Sequence, residues 1–268
     1  VDERILARNS ILFHYCRRKE KELYRLSDYI GCMSPENIRY LLENNSDIRE
    51  DKVILFPNSI QVQSHKPRKQ SIDRLRERLD IDKNKIVFVF GGNLGIAQGI
   101  PFLVKVIKAF ENHPSAFFLI VGKGTHAESL KELSKEQKNV LYLKRLPTKR
   151  YAKLLAMCDV GIVSLGQMYT IPNYPSRMLS YMEAALPILA ITDKVTDVRS
   201  LVEKDANCGF WSSADNLESA VKNIELLTSD KKLRTRMGQS GRKYCKEHFD
   251  VTQSVKILEG IEAVDSDI

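Results

Sequence analysis

The feature that most constrains this chain is an alternation, from about residue 84 onward, of short apolar, β-branched runs with amphipathic stretches. Such alternation is typical of repeated βα units and predicts a mostly parallel sheet. We predict strands at 85–90, 116–121, 140–143, 160–164, 187–191 and 207–211. Helices are predicted at 100–110, 126–135, 149–158, 177–185, 214–227, 230–248 and 251–261. The predicted fold class is therefore α/β, with a doubly wound, Rossmann-like parallel sheet.

The first sixty residues carry a shorter version of the same rhythm. Helices are predicted at 11–27 and 35–44, and strands at 29–33 and 53–56. Residues 61–69 are polar and basic without periodicity, which is typical of a linker between two α/β bodies. We predict a truncated end of an amino-terminal α/β domain at 1–62, a linker and lead-in helix at 63–84, a binding domain at 85–250 and a carboxyl-terminal helix at 251–268.

Composition limits the classes of function. The formal net charge of +8 indicates an anionic partner. No zinc-finger, RNP or basic-zipper pattern supports nucleic acid as that partner. Five scattered cysteines without a CxxC pair indicate free thiols and a reducing cytoplasm. The longest apolar runs are far shorter than the roughly 20 residues that span a bilayer, and no signal-peptide pattern is present.

Ligands of a doubly wound sheet bind outside the carboxyl ends of its strands, so the loops after the strands carry the functional signal. The loop Gly91–Gly99 contains four glycines and leads into a predicted helix. Its backbone amides could hold a phosphate, although a tight turn between strand and helix explains the glycines equally well. Lys144 and Arg145 end the third predicted strand of this region, where they could contact an anion.

The loop after the fourth of these strands is rich in proline and ends at Ser176, which we predict to be the N-cap of the next helix. The first amides of that helix and Arg177 are expected to face the crevice. Glu183 follows about two turns into the helix. A solvated glutamate on the outer surface is the ordinary interpretation of such a residue.

Five short motifs follow one another in a fixed order between Pro57 and Leu189. Pro57-Asn58-Ser59-Ile60 is similar to “PNG(V/I)D”, and Gly92-Asn93-Leu94-Gly95 with Gln98-Gly99 is similar to “GxL…KG”. Val121-Gly122-Lys123-Gly124 is similar to “VGxGP”, Cys158-Asp159-Val160 to “ADV”, and Ser176–Leu189 to “ESFGLVLLEAMAxGxPVI”. In order and spacing the chain resembles the carboxyl-terminal half of the family 4 retaining glycosyltransferases, which have the GT-B fold.

The resemblance implies a transferase that takes a sugar from a nucleotide-diphosphate donor and retains its anomeric configuration, without a metal or another cofactor. It implies that Glu183 binds the ribose hydroxyls and that the backbone near Arg145 and Leu146 binds the base. It also implies that the helix start binds the diphosphate, together with the glycine loop; the residues concerned are Gly92, Asn93, Gly95, Gln98, Ser176, Arg177, Met178 and Leu179.

Three positions depart from the family's pattern. Pro175 replaces the first glutamate of the E-x7-E pair, so we expect Thr170 or Asn173 to hold the donor sugar. Asn93 and Gln98 replace the usual arginine and lysine of the glycine loop. We expect Arg177, with Lys144 or Arg145, to supply the missing positive charge. Pro-Ser-Arg at this site resembles bacterial capsule and O-antigen transferases, which implies polysaccharide biosynthesis and a lipid-linked or saccharide acceptor.

The acceptor site and the family's catalytic histidine are expected before Val1, and His14 is interpreted as structural. We therefore expect this fragment to bind the donor and to turn over little or nothing. Two alternatives stay open: a nucleotide-sugar 2-epimerase, and a non-catalytic module that binds a sugar nucleotide. The basic surface also predicts peripheral contact with an anionic membrane, on its cytoplasmic face.

Overall fold

The structure, a computed structural model, describes residues 7, 10–63 and 69–266, with side chains described up to residue 261. Its amino-terminal part contains two helices and two strands in alternation, namely α1 (Ile11–Leu26), β1 (Ile30–Cys32), α2 (Pro35–Glu43) and β2 (Val53–Leu55). The two strands are parallel, with Ile30 beside Val53. Ser34 caps α2, because its hydroxyl accepts a hydrogen bond from the Asn37 amide at 3.2 Å.

The larger part is built on a parallel sheet of six strands. These are β3 (Ile86–Asn93), β4 (Ala116–Lys123), β5 (Val140–Lys144), β6 (Val160–Ser164), β7 (Ile188–Thr192) and β8 (Gly209–Ser213). Their spatial order is β5-β4-β3-β6-β7-β8, so the direction of the winding reverses between β3 and β6. A crevice opens at such a reversal, outside the carboxyl ends of the strands.

Helices connect the strands and close the chain. They are α3 (Lys69–Arg78), α4 (Ile100–Lys108), α5 (Ala127–Glu136), α6 (Thr148–Leu155), α7 (Arg177–Glu183), α8 (Val198–Ser200), α9 (Leu217–Ser229), α10 (Lys231–His248) and α11 (Val251–Ser266). A π-helical turn at Leu201–Asp205 follows α8. Within the part of the chain that the structure describes, no helix has both the length and the apolar composition that crossing a bilayer requires.

Alternate residues of the strands pack on opposite faces of the sheet. In β3, Val87 and Val89 face one apolar cluster, which includes Met178 of α7. Phe88 and Phe90 face the other cluster, which includes residues of α4 and α9. Side chains of successive strand residues point to opposite faces, so a sheet covered on both faces needs apolar residues at nearly every position. The predicted doubly wound α/β class is confirmed.

The sequence prediction differs from the structure at several element ends. β3 continues through Gly91 and Gly92 to Asn93, because these residues pair with β4. The short helix and π-turn at 198–205 follow β7 where no element was predicted. Of the predicted linker 61–69, residues 64–68 lie outside the described residues.

Hydrogen bonds join the amino-terminal part to the six-stranded part. The Asp197 carboxylate, in the segment after β7, accepts hydrogen bonds from the Ser34 hydroxyl at 2.9 Å and from the Glu36 amide at 2.8 Å. The amide of Ile60 donates to the Phe249 carbonyl at 2.8 Å. The first contact places a carboxylate at the amino terminus of α2, where the helix dipole favours negative charge.

Candidate functional site

Three loops meet at the reversal of the sheet. The Leu94 amide, after β3, donates to the carbonyl of Lys123, at the end of β4, at 2.8 Å. The Ser164 hydroxyl, at the end of β6, donates to the Gln98 carbonyl at 2.8 Å, and the Gly166 amide donates to the Ala97 carbonyl at 2.9 Å. The glycine loop is therefore fixed by backbone contacts to both neighbouring loops.

Two glycines of this loop adopt conformations that other residues avoid. Gly99 has a φ of +61°, and a Cβ atom there would lie 3.0 Å from the Leu165 backbone. Gly92 has a φ of +137°, and a Cβ atom there would lie 3.3 Å from Nη2 of Arg177. Glycine is thus needed at both positions, for the backbone conformation and for close approach.

Arg177, the first residue of α7, reaches back over the glycine loop. Its guanidinium carbon lies 4.5 Å from the centre of the Phe90 ring, and its Nη2 donates to the side-chain oxygen of Gln98. Its Nη1 is buried and has no hydrogen-bond partner in the part of the chain that the structure describes. Because buried donors are normally satisfied, this nitrogen lacks the acceptor that such a group usually has.

Two buried tyrosines surround the base of the loop. The Tyr181 hydroxyl, on α7, accepts a hydrogen bond from the Gly91 amide at 3.1 Å, and the Tyr151 hydroxyl, on α6, packs against Gly91. Burial raises the pKa of both hydroxyls, so they stay neutral at physiological pH. Burial lowers the pKa of Arg177, and the nearby tyrosines oppose that effect. An arginine still keeps its charge, since its ordinary pKa is above about 12.

The start of α7 differs from the prediction. Ser176 stands at the predicted N-cap position, but it is exposed, has helical backbone angles and makes no side-chain capping bond. The Met178 and Leu179 amides already donate to the carbonyls of Pro175 and Ser176, at 3.0 and 3.2 Å. Their side chains are buried in the core. The predicted cradle of helix amides is therefore reduced to residues before Met178.

The structure contradicts the prediction that Glu183 lines this pocket. Glu183 is the last residue of α7, about 9 Å along the helix axis from Arg177. Its carboxylate accepts a hydrogen bond from the Gln63 amide at 2.9 Å. The position of Glu183 in the helix was predicted correctly. Arg177, at the start of α7, lies at the glycine loop, whereas Glu183 lies at the opposite end of the helix. Ser180, one turn nearer to Arg177, is the half-buried polar residue that precedes Glu183 on the same side of the helix.

The basic loop lies farther along the same edge of the sheet. Gly92, Gly122 and Lys144 are neighbours on adjacent strands, which places Lys144 about 10 Å from Gly92. Lys144 and Arg145 are exposed, and Leu146 is half-buried against the core. The glycine loop under Arg177 and this basic loop therefore lie along the same edge of the sheet.

The remaining predicted residues lie around the crevice's rim. Asn93 ends β3 exposed to solvent, and Gly95 follows it as the residue before a short 3-10 turn. Thr170 is exposed in the loop after β6. The Asn173 side-chain amide in that loop donates to the Ile171 carbonyl at 3.4 Å. Asn173 is half-buried, so the loop exposes Thr170 more than Asn173.

Sequence reasoning missed the three aromatic residues that shape the site, Phe90, Tyr151 and Tyr181. Phe90 and Tyr181 read as ordinary core residues of a strand and a helix. One signal was available, because Tyr181 follows Arg177 by four residues and so shares a face of α7 with it. Tyr151 lies among basic residues in sequence, and only the packing of α6 shows its contact with Gly91.

We searched the described ranges for groups of side chains that could bind a metal ion. No group of three or more His, Cys, Asp or Glu side chains there is arranged to hold a metal ion. Positive charge at the crevice comes from Arg177, Lys144 and Arg145. The arrangement can bind an elongated anion, with a buried guanidinium at one end and exposed cations at the other.

Known proteins are similar to this chain in sequence or in fold. The protein named “Probable glycosyltransferase WbjE” of Pseudomonas aeruginosa is 33% identical over 124 residues, covering 46% of this chain and 31% of the relative. WcaI of Escherichia coli K12, named for colanic acid biosynthesis, is 26% identical over 181 residues, covering 66% and 44%. The Anabaena protein Alr3699/HepE, solved with UDP and glucose, superposes with a TM-score of 0.74 at 18% identity, over 92% of this chain and 66% of that one.

The matched part of the chain thus spans 31% of the length of WbjE and 44% of the length of WcaI. At 18% identity, the similarity to the Anabaena structure concerns the fold alone. The sequence model of the family described as “Glycosyl transferases group 1” matches residues 71–244, more than half of the chain. The match includes the glycine loop, the basic loop and α7. The chain belongs to the group 1 glycosyl transferases.

Proposed function

We propose that this chain is the donor-binding part of an enzyme that transfers a sugar from a nucleotide-diphosphate sugar to an acceptor, with retention of configuration. One observation carries the proposal: Nη1 of Arg177 is buried and charged beside the glycine loop and has no hydrogen-bond partner among the described residues. A buried guanidinium with an open donor is unfavourable until an acceptor completes it, and an anion offsets the buried charge as well. A diphosphate supplies oxygens that match the guanidinium geometry.

The proposed chemistry needs positive charge where the leaving group departs. The bond between the sugar's anomeric carbon and the diphosphate oxygen breaks, and a bond to the acceptor oxygen forms, with the acceptor's proton leaving. Negative charge then grows on the diphosphate, and a preorganised cation stabilises that charge in the transition state. Arg177 is held beside the glycine loop by its contacts with Phe90 and Gln98. This role requires no metal.

The other parts of the donor follow from the shape of the crevice. A nucleoside extends from the diphosphate toward Lys144–Leu146, about 10 Å from Gly92, where backbone groups at the end of β5 would bind the base. The sugar would face the loop after β6, near Thr170 and Asn173. Ser180 replaces Glu183 as our candidate for the ribose contact, because it lies one turn nearer the crevice.

The comparisons support a transferase over the two alternatives. The family match favours it over an epimerase or a sensing module. The structural relative was solved with UDP and glucose, which supports a nucleotide-sugar donor here. The name of WcaI supports a role in bacterial polysaccharide synthesis. We propose that the acceptor is lipid-linked or a saccharide.

Calorimetric titration with UDP, GDP and ADP tests the proposal. We expect one of them to bind, and we expect Arg177→Ala to weaken that binding by more than tenfold, which is at least about 1.4 kcal/mol. Arg177→Lys should also lose affinity, since a single ammonium cannot keep the contact with Gln98 and donate to the diphosphate in the planar geometry of the guanidinium. Arg236→Ala, which removes an exposed arginine of α10, is the matched control and should change nothing. Equal affinity of Arg177→Ala and the unmodified chain would refute the proposal.

A further inference from the structure

α7 has one end at the proposed donor site and the other end at the segment that leads out of the amino-terminal part. Arg177 starts the helix and contacts the glycine loop through Gln98. Glu183 ends the helix, and its carboxylate accepts the Gln63 amide at 2.9 Å. α7 is only seven residues long, so its two ends lie about 9 Å apart along the helix axis.

Two hydrogen bonds from Arg242 also link α7 to Gln63. Arg242, on α10, donates through Nη1 to the Glu183 carbonyl and through Nη2 to the Gln63 carbonyl at 2.6 Å. Gln63 is thus held at both its amide and its carbonyl. We name Glu183, Arg242 and Gln63 the linker clasp.

The residues just before Gln63 are held by different partners. The Ile60 amide donates to the Phe249 carbonyl at 2.8 Å, and the Val62 amide donates to the Asp250 carboxylate at 3.0 Å. Both partners lie at the junction of α10 and α11, and neither belongs to α7. The amides of Ile60 and Val62 are therefore bonded to the α10–α11 junction, whereas the Gln63 amide is bonded to α7. Of these three amides, only that of Gln63 tests the contact with α7 directly.

We propose that Glu183 is a positioning residue, and that the linker clasp couples occupancy of the donor site to the segment joining the two α/β parts. The inference rests on the proposed function, because the ligand at Arg177 is taken to be a nucleotide diphosphate. When Nη1 of Arg177 gains a phosphate partner, the start of α7 is fixed, and the clasp at its other end opens less often. Coupling of this kind needs only a change in local opening, without a large displacement.

Amide hydrogen exchange at single-residue resolution tests the coupling, with UDP as the probe and calorimetry alongside it. In the unmodified chain we expect saturating UDP to slow exchange of the Gln63 amide at least threefold and to leave the Ile60 amide unchanged. In Glu183→Ala the Gln63 amide should exchange rapidly with or without UDP. UDP affinity should stay within threefold, because Glu183 does not line the pocket. Glu183→Gln keeps a side-chain acceptor and should restore the response to UDP.

Two further variants separate coupling from general loosening. Arg242→Leu removes the bridge but leaves the bond from Gln63 to Glu183, so it should reduce the response to UDP without abolishing it. Glu132→Ala, which removes an exposed glutamate of α5, should behave as the unmodified chain.

The outcomes are distinguishable. If UDP binds and the Gln63 amide does not respond, or if Glu183→Ala responds as the unmodified chain does, the coupling is wrong and the proposed function stands. A loss of UDP affinity above tenfold in Glu183→Ala would show that Glu183 contributes to UDP binding, and it would overturn the inference. If UDP, GDP and ADP all fail to bind the unmodified chain, the proposed function and the inference built on it both fail.

Discussion

Arg177 shows how a residue can keep a role when its neighbours in the sequence change. Its guanidinium stacks on Phe90 and contacts Gln98, so it occupies the region where the glycine loop itself carries no cation. The sequence could predict Arg177 as a ligand of anions, from its place at a helix start after a strand. It could not predict the support from Phe90, Tyr151 and Tyr181, because those contacts join distant segments.

The closest test of this residue-scale account is Gly92→Ala. An alanine at position 92 would have to adopt a φ of +137°, and its Cβ atom would crowd Nη2 of Arg177. We expect about 1–3 kcal/mol of lost stability from backbone strain, and roughly tenfold weaker UDP binding because Arg177 is displaced. Thermal unfolding and calorimetry would measure both effects.

Gly260→Ala is the control for that substitution. Gly260 lies within α11, and among the described residues no atom lies within 4 Å of the position that a Cβ atom would take there. Alanine at this position should therefore raise helix stability by up to about 1 kcal/mol and leave UDP binding unchanged. Wild-type UDP affinity in Gly92→Ala would show that the position of Arg177 does not depend on this glycine.

At the scale of elements, hydrophobic periodicity predicted the strands and long helices, because burial on both faces of a parallel sheet leaves continuous apolar runs. It failed where local hydrogen bonds decide the backbone. The helical turns at 198–205 and the uncapped start of α7 are examples. Glu183 is the instructive error, since its place on α7 was correct but its surroundings depend on Gln63, 120 residues earlier in the chain.

At the scale of the whole molecule, the formal charge of +8 predicts attraction to anionic surfaces beyond the donor itself. We propose peripheral contact with the cytoplasmic face of a membrane, supported by about 1 kcal/mol per basic residue close to anionic head groups. Flotation should recover the chain with vesicles containing phosphatidylserine, but not with neutral vesicles, and about 0.5 M salt should abolish the binding. Equal recovery with both kinds of vesicle would exclude an electrostatic contact.

The central claim is that Arg177 and the glycine loop bind the diphosphate of the donor. A crystal structure of the chain with UDP tests it most directly. We expect a diphosphate oxygen within about 3 Å of Nη1 of Arg177, with the base toward Lys144–Leu146 and no contact to Glu183. Well-ordered UDP bound elsewhere, with Arg177 contacting only Gln98 and Phe90, would contradict the account.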